Sequence, residues 1–251
     1  MRCAFFLLLW LATPATALEL FHRETIPMNR PSSLAFDPAL CGLWIANEGR
    51  QVAFLSASGE ITRRIDIGFS AKAVASDGTD LILVDRAGTF LDLDQRTEES
   101  GGPYRLAGRN WDIEGMVVGP GATRTFVRDE DARLWRTDLG GNLLWSVDGF
   151  ALTPPMVEPQ GIAIDRRTGA IFVVDDREGS NSLFEFTPDG AFVARVSLAP
   201  WGTDPEGLAI QADTGTLWIG FDSDARLAVF DYLPTQRAES AEATSDACVM
   251  F

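Results

Sequence analysis

Asp112-Ile113-Glu114-Gly115-Met116, Glu158-Pro159-Gln160-Gly161-Ile162 and Asp204-Pro205-Glu206-Gly207-Leu208 are three copies of one motif, and their glycines stand 46 residues apart. Each copy leads into a short apolar run, an Asp/Gly turn and a second apolar run that ends in a carboxylate, as in Ile171-Phe172-Val173-Val174-Asp175. A fixed period of this size, built from strand-length runs and turns, is the signature of a propeller or solenoid.

Five repeats follow, at residues 30–67, 71–107, 112–150, 158–198 and 204–233. Ser33-Leu34-Ala35-Phe36, Leu81-Ile82-Leu83-Val84 and Leu217-Trp218-Ile219-Gly220 are runs suited to fully buried strands, and Asp37-Pro38, Asp77-Gly78 and Pro188-Asp189-Gly190 are turn signals between such runs. No amphipathic helix interrupts them. The fifth repeat has room for only three strands, while residues 19–26 alternate weakly just before the first repeat. Joining the two ends in one blade removes the exposed sheet edge. The chain is therefore expected to be all-β, a five-bladed β-propeller closed by an N-terminal strand. The alternative, a six-bladed TolB-like propeller, would need about 40 further residues.

Residues 1–17 read as a secretory signal peptide, with Arg2 before an apolar core and Ala15-Thr16-Ala17 as a cleavage site. Residues 18–234 would then form one propeller domain and 235–251 a C-terminal tail. No stretch approaches the roughly 20 apolar residues of a membrane-spanning helix, so a soluble, periplasmic or secreted monomer is expected rather than an integral membrane protein. With 21 basic against 36 acidic residues and a net charge of -15, the surface is a poor partner for nucleic acid. Cys41 and Cys248 remain after export, and an even count in an oxidising compartment favours a disulfide. Propeller wiring supports the pairing, because the first turn of repeat one and the end of repeat five reach the same face, here called the bottom.

The same wiring gathers two rings on the opposite, top face. The starts of the inner strands contribute Ser32, Lys72, Glu114, Gln160 and Glu206. The ends of the second strands contribute Glu48, Asp85, Asp129, Asp175 and Asp222, with Asn47, Glu130 and Asp176 beside them. Carboxylates about 8 Å apart repel by roughly 0.5–2 kcal/mol, so the rings need counter-charge, raised pKa values or a cation. Lys72, the only lysine, and Arg86 and Arg128 offer part of that charge. Oxygen-only ligands suit Ca2+, and Glu114, Glu206, Asp129, Asp175 and Asp222 are the candidate metal ligands. Glu48, Asp85, Lys72, Gln160, Trp111 and Trp201 are candidates for holding a small molecule or protein partner over the channel. Trp44, Trp135, Trp145 and Trp218 fall within strands and read as core. The single histidine, His22, lies in the closing strand, which leaves no base for a Ser-His-Asp or Cys-His site.

These motifs, together with the stretch from Pro31 to Pro38, resemble the SdiA-regulated propeller family, within a wider group of phytase-like, NHL and regucalcin/gluconolactonase-type propellers. The resemblance covers roughly residues 31–234 and implies an exported propeller with a calcium-binding face. Only Glu114 and Glu206 match the acidic form of the motif; Ser32, Lys72 and Gln160 depart from it. The leading expectation is a ligand- or protein-binding module; the alternative for the carboxylate-lined face is a metal-dependent hydrolase of lactone, ester or phosphoester substrates.

Overall fold

In a computed structural model, residues 17–106, 112–235, 248 and 250 are described. They build five antiparallel four-stranded blades. Blade 1 holds β2 (Ser33–Asp37), β3 (Gly42–Ala46), β4 (Gln51–Ser56) and β5 (Ile61–Asp66). Blade 2 holds β6 (Ala73–Ser76), β7 (Asp80–Val84), β8 (Thr89–Asp94) and β9 (Ser100–Arg105). Blade 3 comprises β10 (Gly115–Gly119), β11 (Thr123–Arg128), β12 (Arg133–Asp138) and β13 (Leu143–Asp148). Blade 4 comprises β14 (Pro159–Ile164), β15 (Ile171–Asp175), β16 (Ser182–Phe186) and β17 (Phe192–Ser197). In blade 5 the chain's last strands, β18 (Pro205–Gln211), β19 (Thr216–Phe221) and β20 (Arg226–Leu233), are completed by the first, β1 (Glu19–Pro27). β1 pairs antiparallel with β20 from Glu19–Leu233 to Pro27–Arg226, closing the ring as the sequence predicts.

Burial follows the position of each strand in its blade. The middle strands are covered on both faces by neighbouring blades, so β3, β15 and β19 are buried throughout and read as continuous apolar runs rather than alternating ones. Outermost strands face solvent, and β5, β13 and β17 contain no run of buried residues. Between blades, Trp44 and Phe54 of blade 1 pack with Leu81, Leu83 and Leu91 of blade 2, and Phe126 of blade 3 meets Phe90 of blade 2 edge-on. Each such side chain contributes about 1.5–3 kcal/mol on full burial. Trp44, Trp135 and Trp218 are core residues, as read from the sequence. Trp145 is not: it sits on the outer strand β13, half-buried, with the Arg136 guanidinium 5.1 Å from its ring.

The motif glycines have a steric cause. A Cβ on Gly115 would lie 2.1 Å from the Gln160 carbonyl oxygen, one on Gly161 2.2 Å from that of Glu206, and one on Gly207 2.2 Å from that of Pro31. Each glycine lets its inner strand abut the backbone at the start of the next blade, so three of the five blade junctions close around the channel by this contact.

On the bottom face Cys41 and Cys248 form a disulfide across a separation of 207 residues, with Cα atoms 5.5 Å apart. The Gln211 amide donates to the Cys248 carbonyl, and Met250 is buried against Leu43 and Trp218. The signal-peptide reading concerns residues 1–16 almost wholly and lies outside the described residues, as does most of the tail.

Candidate functional site

Every inner strand begins on the top face, so the residue before each motif glycine, or before Ser33 and Ala73 in the first two repeats, lies at the channel mouth. Ser32, Lys72, Glu114 and Gln160 are buried there, and Glu206 is half-buried. Lys72 stands at the centre. Its Nζ lies 2.6 Å from Glu48 Oε1, 2.8 Å from Glu114 Oε2 and 3.9 Å from Glu206 Oε2. Burial alone would lower the pKa of this ammonium, but Glu114, Glu206 and Glu48 outweigh burial and raise it, so Lys72 is charged. Around it, Arg86 reaches Glu114 at 3.0 Å, and Arg30 reaches Glu48 at 2.7 Å and Asp222 at 3.6 Å.

The carboxylates respond unequally. Burial raises the Glu48 pKa, yet Lys72, Arg30 and Arg86 together bring it below its ordinary value. Burial raises Glu114 despite Lys72, with Asp129 adding repulsion. Glu206 is pushed up to about 7 by burial, which Lys72 opposes and Glu48, Asp222 and Asp204 reinforce. Asp222 is raised by burial against the pull of Arg30.

A second cluster adjoins this network. Oxygens of Asp176, Asp204 and Glu206 lie within 4.8 Å of one another, bringing the end of β15 against the start of β18. Burial, together with hydrogen bonds and charge repulsion from Asp204 and Glu158, raises the Asp176 pKa to about 8. No basic side chain forms an ion pair with Asp176 or Asp204 among the described residues. Asp204 instead accepts a hydrogen bond from the Ser223 hydroxyl at 2.6 Å. Arg30, Glu48 and Asp204 hold φ of 51°, 57° and 60°. For Arg30 and Glu48, which lack aspartate's tolerance of that region, this costs about 1–3 kcal/mol each, sustained by the surrounding contacts.

The sequence-predicted residues divide accordingly. Lys72, Glu48, Glu114, Glu206 and Asp222 come together. Asp175 and Asp85 do not join them: Asp175 accepts from the Val157 and Arg177 amides, and Asp85 from the Thr89 amide, so both clamp turns. Asp129 is half-buried and acts on Glu114 through space. Arg128 pairs with Asp131 at 2.5 Å. Gln160 is buried with Oε1 unpartnered. Trp201 packs edge-on against Phe230, 5.1 Å between centroids, and fills space between blades 4 and 5. Trp111 lies outside the described residues.

Sequence reasoning passed over Arg30, Glu158 and Asp204 and set Asp176 beside the ring. A signal existed for two of them: Glu158 and Asp204 open their motif copies, and each is followed by a proline. Their carboxylates thus recur one step outside the ring that was read.

Comparison with known proteins bears on the fold. No protein-family model matches this chain, and no curated protein matches it. The chain is similar in structure to glutaminyl cyclase from Myxococcus xanthus, at a TM-score of 0.66 and 16% identity over 85% of this chain and 97% of that one. It is a five-bladed β-propeller. Hydrazine synthase of Kuenenia stuttgartiensis matches at a TM-score of 0.49 and 15% identity, over 77% of this chain and 56% of the other. At 16% identity the likeness to the glutaminyl cyclase is one of fold. No helix among the described residues is long and apolar enough to cross a membrane.

Proposed function

We propose that this chain is an exported propeller whose top face binds a divalent cation, calcium first, at Asp176, Asp204 and Glu206, and through it a ligand or partner protein. The observation that carries this reading is the meeting of three carboxylates within 4.8 Å, of which only Glu206 has a basic neighbour, Lys72 at 3.9 Å, and Lys72 lies closer to Glu48 and Glu114. The donor set fits the ion. Calcium–oxygen bonds of about 2.3–2.6 Å place opposite ligands about 4.8 Å apart, and three side chains leave coordination positions for water and ligand. With no histidine or thiol among them, these donors suit a hard cation rather than zinc. Export is supported by the signal-like N-terminus and by the disulfide, and the SdiA-regulated resemblance agrees with both.

Thermal unfolding after EDTA treatment, then with added calcium, magnesium or manganese, tests the reading. Saturating calcium at a hundredfold excess over Kd stabilises by about 2.7 kcal/mol. The expected result is a calcium-selective rise that is absent in Asp204→Asn while the variant remains folded. No shift with any ion sinks it.

One observation favours a second reading, a metal-dependent hydrolase. Glu206 and Asp176 exchange protons near neutral pH, the range a general acid or base uses. Turnover on a panel of esters, lactones and phosphoesters, lost in Glu206→Gln, would select it over binding alone.

A further inference from the structure

A cleft of about 640 Å3 opens on the bottom face, between blades 2 and 3, a size that suits a small ligand. Its walls are chemically divided. Blade 2 contributes Asp77, Asp80 and Asp92, and blade 3 contributes Arg124; Ile82 and Val118 form apolar wall between them, with Arg166 entering from blade 4.

Arg124 is only 7% exposed. Its guanidinium lies over the Phe90 ring, 5.1 Å from the centroid, and Nη2 donates to the Tyr104 hydroxyl at 2.8 Å. The Tyr104 hydroxyl in turn donates to Asp92 at 2.9 Å. Arg124 Nε and Nη1 have no hydrogen-bond partner among the described residues. A buried guanidinium with two idle donors costs stability unless an acceptor arrives, because its lost bonds to water are not replaced. On the opposite wall, Asp80 is crowded by like charges: burial raises its pKa first, and Asp77, Asp94 and Asp92 raise it further. That wall calls for a cation as the Arg124 wall calls for an anion. β7 carries Asp80 and β11 carries Arg124, so the polarity is built into the strands of the two blades.

We propose that this cleft binds a short apolar peptide by its charged ends, the carboxylate toward Arg124 and the ammonium toward Asp80. The site is independent of the cation reading. Apolar side chains of the peptide would lie along Ile82 and Val118, where a wholly polar zwitterion would gain nothing.

Calorimetric titration of the EDTA-treated full chain with leucyl-leucine, its N-acetylated form and its C-terminal amide tests the proposal. Saturable binding of leucyl-leucine is expected, weakened about tenfold or more by blocking either end, equivalent to about 1.4 kcal/mol. Arg124→Gln should erase the preference for the free carboxylate, and Asp80→Asn the preference for the free amine. If Arg124→Gln fails to fold, Asp80→Asn and the blocked peptides decide. Absence of saturable heat at millimolar peptide, or equal binding of all three forms, overturns the proposal.

Discussion

The Lys72 ammonium lies 2.8 Å from the Glu114 carboxylate across the channel mouth, and the Glu114 side chain is fully buried. This pair ties blade 2 to blade 3 and neutralises the most enclosed charge on the top face. Removing one partner of a buried pair strands the other, which typically costs about 3–5 kcal/mol. Lys72→Met should lower the melting temperature by roughly 10 °C at neutral pH for a chain of this size. The loss should shrink as pH falls below about 7, where Glu206 takes up a proton, with Glu114, also raised, protonating more readily than an ordinary glutamate. An unchanged urea midpoint at pH 7 would show the pair to be energetically idle.

The acid cluster sets a pH dependence with a definite sign. Glu206 and Asp176 release their protons at about 7 and about 8 when folded, against 4.5 and 3.8 ordinarily. Between those limits the native state binds more protons than the unfolded state, so stability falls as pH rises through the window. In EDTA, melting temperature should decline from about pH 5 to about pH 8, less steeply in Asp176→Asn. Calcium competes with those protons, so its stabilising effect should grow over the same interval. Equal slopes for the variant and the parent protein would remove the cluster as the cause.

Channel closure depends on the motif glycines. Gly161→Ala drives a Cβ against the Glu206 carbonyl, a backbone atom that cannot swing away. A loss of about 3 kcal/mol is expected, at the upper end for overpacking. Gly101→Ala, with no atom within 4 Å of the added carbon, is the control and should change stability by under about 0.5 kcal/mol. Equal denaturation midpoints for the two variants would contradict the steric account.

The Cys41–Cys248 bridge fastens the C-terminus beneath blade 1. Replacing both cysteines by serine should cost about 2–5 kcal/mol, since the bridge closes a loop of 207 residues in the unfolded chain. Urea unfolding of the double variant, compared with the parent protein with and without reductant, measures it. A midpoint insensitive to both would mean that the buried Met250 and neighbouring contacts hold the tail without the bridge.

Much of the architecture was legible because its causes are local and repeated. The 46-residue spacing of Gly115, Gly161 and Gly207 marks one backbone approach recurring around a ring, and a three-strand remainder at residues 204–233 demands a partner strand from elsewhere. β1 supplies it, and the same wiring carried Cys41 to Cys248. Trp145 was misread because a tryptophan in an outer strand has the same local sequence as one in a middle strand; only its place in the blade exposes it.

From the sequence alone, the number of blades, the strand that closes them, the disulfide and the face crowded with carboxylates were determined. Those features follow from counting, spacing and the alternation of chain direction. Only the tertiary structure decided which charges meet. Asp175 and Asp176 are adjacent, yet the first clamps the Val157 and Arg177 amides and the second joins Asp204 and Glu206 from the next blade. Likewise, Arg124 became a candidate ligand-binding group only when Phe90 and Tyr104 of the neighbouring blade buried it and left two donors unpaired. The physical reason is common to both: a propeller's sites form between blades, where side-chain direction at strand ends and contacts far apart in sequence set distance, burial and protonation together.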